Sequence, residues 1–85
     1  MTVELTFYTT EGCHLCEQAQ GLLQNLLQQY PSCYQIEIVD IVESDALIQQ
    51  YGARIPVLQK VAAKEELAWP FDYQSLLHFL GIASA

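Results

Sequence analysis

The stretch Val3-Glu4-Leu5-Thr6-Phe7-Tyr8-Thr9-Thr10-Glu11-Gly12-Cys13-His14-Leu15-Cys16 changes its hydrophobic period partway along. Val3, Leu5 and Phe7 alternate with Glu4, Thr6 and Tyr8, the period of two that gives a strand one buried face. Thr9 to Gly12 breaks the alternation. From Cys13 onward Leu15, Ala19, Leu22, Leu23, Leu26, Leu27 and Tyr30 recur at helical spacing, and Pro31 stops the helix near Tyr30. A strand, a turn and a long helix make half of a β-α-β unit, and two cysteines three residues apart fall where the helix begins.

Working outward, Tyr34 to Ile41 supplies the other half. Ile36, Ile38, Val39 and Ile41 dominate it, the composition of a strand covered on both faces in a parallel pair. Ser44 or Asp45 can cap a short helix over Ala46 to Tyr51, with Gly52 ending it in the left-handed conformation. Pro56 to Ala62 and Glu66 to Trp69 read as an antiparallel pair joined by Ala63-Lys64-Glu65, and Pro56 stands at a strand start, where a sheet accepts proline. Asp72 can cap a last helix over Tyr73 to Leu80, stapled by Phe71 and closed by Gly81, with Trp69 and Phe71 sealing the sheet against it. The order is β-α-β-α-β-β-α. It has no repeat and no linker, so residues 1–85 read as one α/β domain.

Composition narrows the chemistry. Ten acidic residues against three basic ones give a formal charge of -7, which disfavours a nucleic-acid backbone or an anionic membrane as partner. The only Lys and Arg residues are Arg54, Lys60 and Lys64, so the chain before Arg54 has no basic counter-charge. Three cysteines are too few, and odd in number, for a secreted disulfide scaffold. The first residues lack the basic and solidly apolar regions of a signal peptide, and no apolar run has membrane-spanning length, so the expected location is the cytoplasm.

Cys13-His14-Leu15-Cys16 carries the chemistry. Three residues apart at a helix start, the two sulfurs share one face and can close a disulfide. Unpaired N–H groups and the positive end of the helix dipole favour a thiolate at Cys13, while Cys16 lies a turn deeper. That asymmetry makes Cys13 the attacking thiol and Cys16 the resolving one in thiol-disulfide exchange. Glu11 and Glu17 flank the pair and oppose the thiolate; His14, if protonated, would favour it, or else it faces solvent. Other readings of the motif stay open: half a zinc site, for which only Cys33 and His78 remain as further ligands, or two cysteines that are simply buried. Cys33 itself reads as a packed hydrophobe, and His78 as structural or solvated. A second signal is Arg54-Ile55-Pro56-Val57, where an X-Pro bond close to the helix start can be cis.

Together these residues resemble the glutaredoxin-like branch of the thioredoxin superfamily. The resemblance runs through Phe7-Tyr8-Thr9-Thr10-Glu11-Gly12-Cys13-His14-Leu15-Cys16-Glu17, Ile38-Val39-Asp40-Ile41, Tyr51-Gly52-Ala53-Arg54-Ile55-Pro56-Val57-Leu58 and Trp69-Pro70-Phe71-Asp72. Within that branch it is similar to a short bacterial family of largely unassigned function. The resemblance implies a four-stranded mixed sheet of order 2-1-3-4 with helices on both faces and a cis Ile55-Pro56 bond. It also implies that the Ile55 backbone pairs with a bound peptide or glutathione.

Dithiol glutaredoxins also carry an aromatic residue inside a Cys-Pro-x-Cys motif, a basic residue shortly before it, and a Gly-Gly pair before the last helix. This chain has His14-Leu15, Thr10-Glu11-Gly12 and Pro70-Phe71 at those places. Glutathione is anionic, so Glu11 and Glu17 act against it, and Arg54 is the one cation placed to help. Asp72 can accept an ammonium group, although capping its helix is its first role. The expectation is a cytoplasmic, monomeric thiol-disulfide oxidoreductase with no metal and no resident cofactor. Its substrate is a disulfide-containing protein or a small thiol, with glutathione an unfavoured co-substrate. The alternative is a non-enzymatic interaction module or a protein that handles a metal or iron-sulfur cluster.

Overall fold

The sheet is built on β1 (Val3–Thr9), whose Leu5 and Phe7 are buried to 1% and 0% exposure in the computed structural model, which describes residues 2–82. Along the chain follow α1 (His14–Gln29), β2 (Tyr34–Asp40), a 3-10 turn (Ile41–Glu43), α2 (Asp45–Tyr51), β3 (Val57–Lys60), β4 (Glu66–Ala68) and α3 (Tyr73–Phe79). The strand order is β2-β1-β3-β4. β1 runs parallel to β2, with Val3 opposite Tyr34 and Thr9 opposite Asp40, and antiparallel to β3, with Tyr8 opposite Val57. β4 closes the sheet antiparallel to β3.

Alternation along the strands divides the core in two. Leu5, Phe7 and Leu58 point to one face, where they meet Cys16, Ala19, Leu23 and Leu26 of α1, and Phe71 and Leu76 at α3. Tyr8 and Val57 point to the other, where they meet Ile41, Leu47 and Tyr51 beside α2. Helices therefore cover both faces of a mixed four-stranded sheet, as the resemblance implies. Phe71 and Leu76 share one cluster across the Asp72 cap, and Gly81 closes α3 with φ +78.

Several local expectations are corrected. β2 is an edge strand and is not covered on both faces: Ile38 is 58% exposed, beside Gln20 and Gln24 of α1. Its apolar run reflects β propensity more than burial. Gly52 is right-handed (φ -52) and not left-handed. Glycine is needed there for space, because a Cβ would sit 2.5 Å from the Ile48 carbonyl oxygen. β3 ends at Lys60 and not Ala62, because Lys64, with φ 57, folds its N–H back onto the Lys60 carbonyl at 2.8 Å. Cys33 is exposed, not packed, at the turn where its carbonyl accepts the Val3 N–H. His78 faces solvent on α3. No helix among the described residues is long and apolar enough to cross a membrane.

Candidate active site

Gly12 opens the site. Its φ of +79 suits glycine, and it lets the chain turn so that the Cys13 N–H reaches the Thr10 carbonyl at 3.4 Å. Cys13 then stands as the N-cap of α1, with extended backbone. In place of a hydroxyl or carboxylate cap, its Sγ accepts the Cys16 N–H at 3.1 Å, satisfying one of the helix's free donors. Cys13 and Cys16 are joined in a disulfide, with Cα atoms 5.2 Å apart. Cys13 is half-buried and Cys16 is 2% exposed, so the first cysteine is the more open to an incoming group.

An open cavity of about 420 Å³ adjoins both half-cystines. Its carboxylates come from four elements or connections: Glu11 from the turn, Glu17 from α1, Asp40 from the end of β2 and Glu43 from the 3-10 turn. No Lys or Arg lines it. Asp40 and Glu43 were not legible as site residues from the motif. Parallel pairing brings them there, by setting Asp40 opposite Thr9 at the C-terminal ends of the two strands, where α/β folds place their sites. Asp40 also caps the 3-10 turn through the Val42 N–H at 3.1 Å.

The other residues singled out in the sequence divide into those that join this cavity and those that do not. His14 lies outside it, 93% exposed, with Nδ1 3.3 Å from Glu17 Oε2, so it faces solvent and pairs with the carboxylate. Arg54 is also outside. Its Nη1 donates to Glu66 Oε1 at 3.3 Å, its Nε to the Gln50 carbonyl at 3.2 Å, and its guanidinium lies 5.0 Å from the Tyr51 ring centre. Ile55 packs against the same core cluster as Cys13, and the Ile55–Pro56 bond is cis, as is Trp69–Pro70. The Tyr51 carbonyl accepts both the Arg54 N–H (2.8 Å) and the Ile55 N–H (3.0 Å). Asp72 caps α3 by accepting the Ser75 N–H at 2.8 Å, which holds its carboxyl below the ordinary 3.8.

Tyr51 fixes the segment before Pro56. Its ring is 2% exposed and stacks on Tyr8 with centroids 4.1 Å apart. Its hydroxyl donates to Glu66 Oε2 at 2.6 Å, and burial followed by that bond to Glu66 pushes the phenol well above its ordinary value. Among the described residues, no group of three His, Cys, Asp or Glu side chains is arranged to hold a metal.

A family profile described as "Glutaredoxin-like domain (DUF836)" matches residues 4–81. Among solved structures, the chain is similar to target protein XcR50 from X. campestris, at 38% identity and a TM-score of 0.75, over 94% of this chain and 99% of that one. It is similar also to protein Ne2328 from Nitrosomonas europaea, at 29% identity and a TM-score of 0.75, over 93% and 92%. A malarial protein at 15% identity and a TM-score of 0.73, over 95% and 96%, shares the fold. Comparison with curated protein sequences finds no match.

Proposed function

The chain belongs to the glutaredoxin-like domain family (DUF836), and from that premise we propose that it is a thiol-disulfide oxidoreductase acting through Cys13 and Cys16. The observation that carries this reading is the placement of a half-buried Cys13 at the α1 N-cap, its sulfur on the Cys16 N–H, with a buried Cys16 beside it. A backbone N–H aimed at sulfur and the positive helix end both favour the thiolate that attacks. Cys13 of the reduced protein attacks one sulfur of a substrate disulfide, forming a mixed disulfide and releasing the other sulfur as a thiolate. Cys16 then gives up its proton and attacks Cys13. The product is the Cys13-Cys16 disulfide, and the second half of the substrate leaves as a thiol. Two electrons pass from protein to substrate.

Ile55 and Pro56, joined by a cis bond and with Ile55 packed on the core cluster that Cys13 also touches, orient the substrate. In this reading Arg54 is a positioning residue, held by Glu66, and not an anion receptor. Asp72 serves as a helix cap. The reaction belongs in the reducing cytoplasm, performed by a monomer without a resident cofactor.

The test uses pre-reduced protein and a model disulfide. Cys13→Ser abolishes reduction, and Cys16→Ser accumulates the mixed disulfide, visible as a mass shift. If mild oxidation leaves both thiols free and alkylatable, the proposal fails. Turnover with glutathione measured against a thioredoxin system then identifies the electron donor.

A further inference from the structure

The wall of the cavity beside the disulfide carries one sign of charge. Glu11, Glu17, Asp40 and Glu43 line it, and every Lys and Arg is elsewhere: Arg54 is with Glu66, Lys60 is with Glu65 at 3.2 Å and over the Phe79 ring, and Lys64 is in the β3–β4 turn. The one histidine near the motif, His14, is outside the cavity and faces Glu17. The cavity also includes Ile38, 58% exposed, an apolar surface of the kind on which the methylene stem of an amine or guanidine lies. A substrate disulfide has to approach Cys13 across this wall.

We propose that these carboxylates make the site selective for disulfides bearing ammonium or guanidinium groups close to the sulfurs, with Asp40 and Glu43 as specificity-determining residues. The proposal rests on the oxidoreductase reading and adds its substrate class.

The size of the effect follows from screened Coulomb attraction. At about 8 Å, one Debye length at physiological ionic strength, each exposed pair of opposite charges changes an encounter rate roughly 1.4-fold. Four carboxylates and a dication make eight such pairs, so a dicationic disulfide gains roughly tenfold over a neutral one, and a dianionic one loses as much. At about 1 M salt, where the Debye length is about 3 Å, the same product shrinks to less than about twofold. Asp40→Asn with Glu43→Gln removes half of the pairs and leaves a preference of roughly fourfold. Asparagine caps as well as aspartate, so the Val42 N–H keeps its acceptor, and Glu43 is exposed, so the double variant retains the fold.

The experiment measures single-turnover oxidation of the reduced protein by cystamine, by an arginine-flanked peptide disulfide, by bis(2-hydroxyethyl) disulfide and by oxidised glutathione. Each rate is divided by the rate with free dithiothreitol, to remove the intrinsic reactivity of the disulfide. The expected result is an order of cationic, neutral, anionic. It collapses at high salt and weakens in the double variant, which slows on the cations and speeds up on glutathione disulfide. Whichever cationic probe is faster tells a small amine disulfide from a basic peptide as source, and both outcomes support the proposal. Equal normalised rates across the charges, or a preference untouched in both the double variant and Glu43→Gln alone, would overturn it while leaving the oxidoreductase reading standing. Failure to oxidise the protein with any of the four overturns both.

Discussion

Replacing Tyr51 by phenylalanine removes one oxygen and leaves a ring that is 2% exposed and stacked on Tyr8. The apolar contribution therefore stays. What goes is donation to Glu66 at 2.6 Å and acceptance from Gln50 Nε2 at 3.3 Å. A hydrogen bond to a charged group contributes about 1.5–3 kcal/mol. Glu66 keeps Arg54 and is not stranded, which puts the loss at the lower end, about 1.5 kcal/mol. Against a total stability of roughly 4–13 kcal/mol for a chain of this length, that is measurable by urea denaturation.

The same variant has a pH signature. The folded-state phenol is raised above its ordinary 10.0, so the stability it contributes is fully present below about pH 10 and is lost as pH rises past it, when only the unfolded chain releases the proton. By about pH 11 this amounts to at most about 1.4 kcal/mol. Glu66 is 23% exposed, and screening at that rim trims the figure to about 1 kcal/mol. Tyr34 and Tyr73 are also raised by burial, so the wild type retains an alkaline loss from those two in any case, and the test is the difference between the proteins. The variant is expected to be less stable near pH 7 and to lose less on going to about pH 11. A loss below about 0.5 kcal/mol, together with alkaline profiles that overlay, would refute the network.

Gly12→Ala forces a side chain into φ +79 at the turn that presents Cys13, and should cost about 1 kcal/mol in urea denaturation; an unchanged midpoint contradicts the turn. Asp72→Ala should lower the melting temperature at neutral pH and have little effect in strong acid. The wild-type carboxyl, held below 3.8 by the Ser75 N–H, contributes above that pH and loses its effect as pH falls through its lower folded value; equal effects at both pH values would contradict this. In the oxidised protein a thiol reagent should label Cys33 alone, and quickly, because it is exposed while the other two cysteines are joined; Cys33→Ser should leave stability within about 0.5 kcal/mol. Slow labelling, or two labels per chain, would contradict the structure.

Much of the molecule is local and was legible as such. The change of period at Gly12, the caps at Ser44 and Asp72, and the stop at Gly81 each depend on a few neighbouring residues, so propensity and capping rules reach them. What escaped depends on which chains lie side by side. Ile38 looks buried in sequence because β-branched residues suit any strand, and only the strand order shows that, among the described residues, no strand lies beyond β2. Asp40 and Glu43 become site residues through the parallel register with β1, more than 20 positions from the cysteines. Arg54 pairs with Glu66, 12 residues further on, a partner that its sequence neighbours do not announce. Cys33 was read from the general habit of free cysteines, which a surface turn does not follow.

The single carbonyl of Tyr51 that holds both the Arg54 and Ile55 amides has a consequence for how the neighbouring loop can be approached. Proline has no N–H, so Arg54, Ile55 and Pro56 form three consecutive residues with no amide proton left to offer. Sheet pairing exchanges donors for acceptors, and this rim has no donor to exchange, while the Pro56 carbonyl is already taken by the Trp69 N–H at 3.1 Å. A visiting backbone must bring every proton itself, so one with proline or an N-methylated residue at that point finds nothing to bond to. Two copies of the same rim would meet carbonyl to carbonyl, which leaves the loop available to a substrate while making it a poor template for self-association.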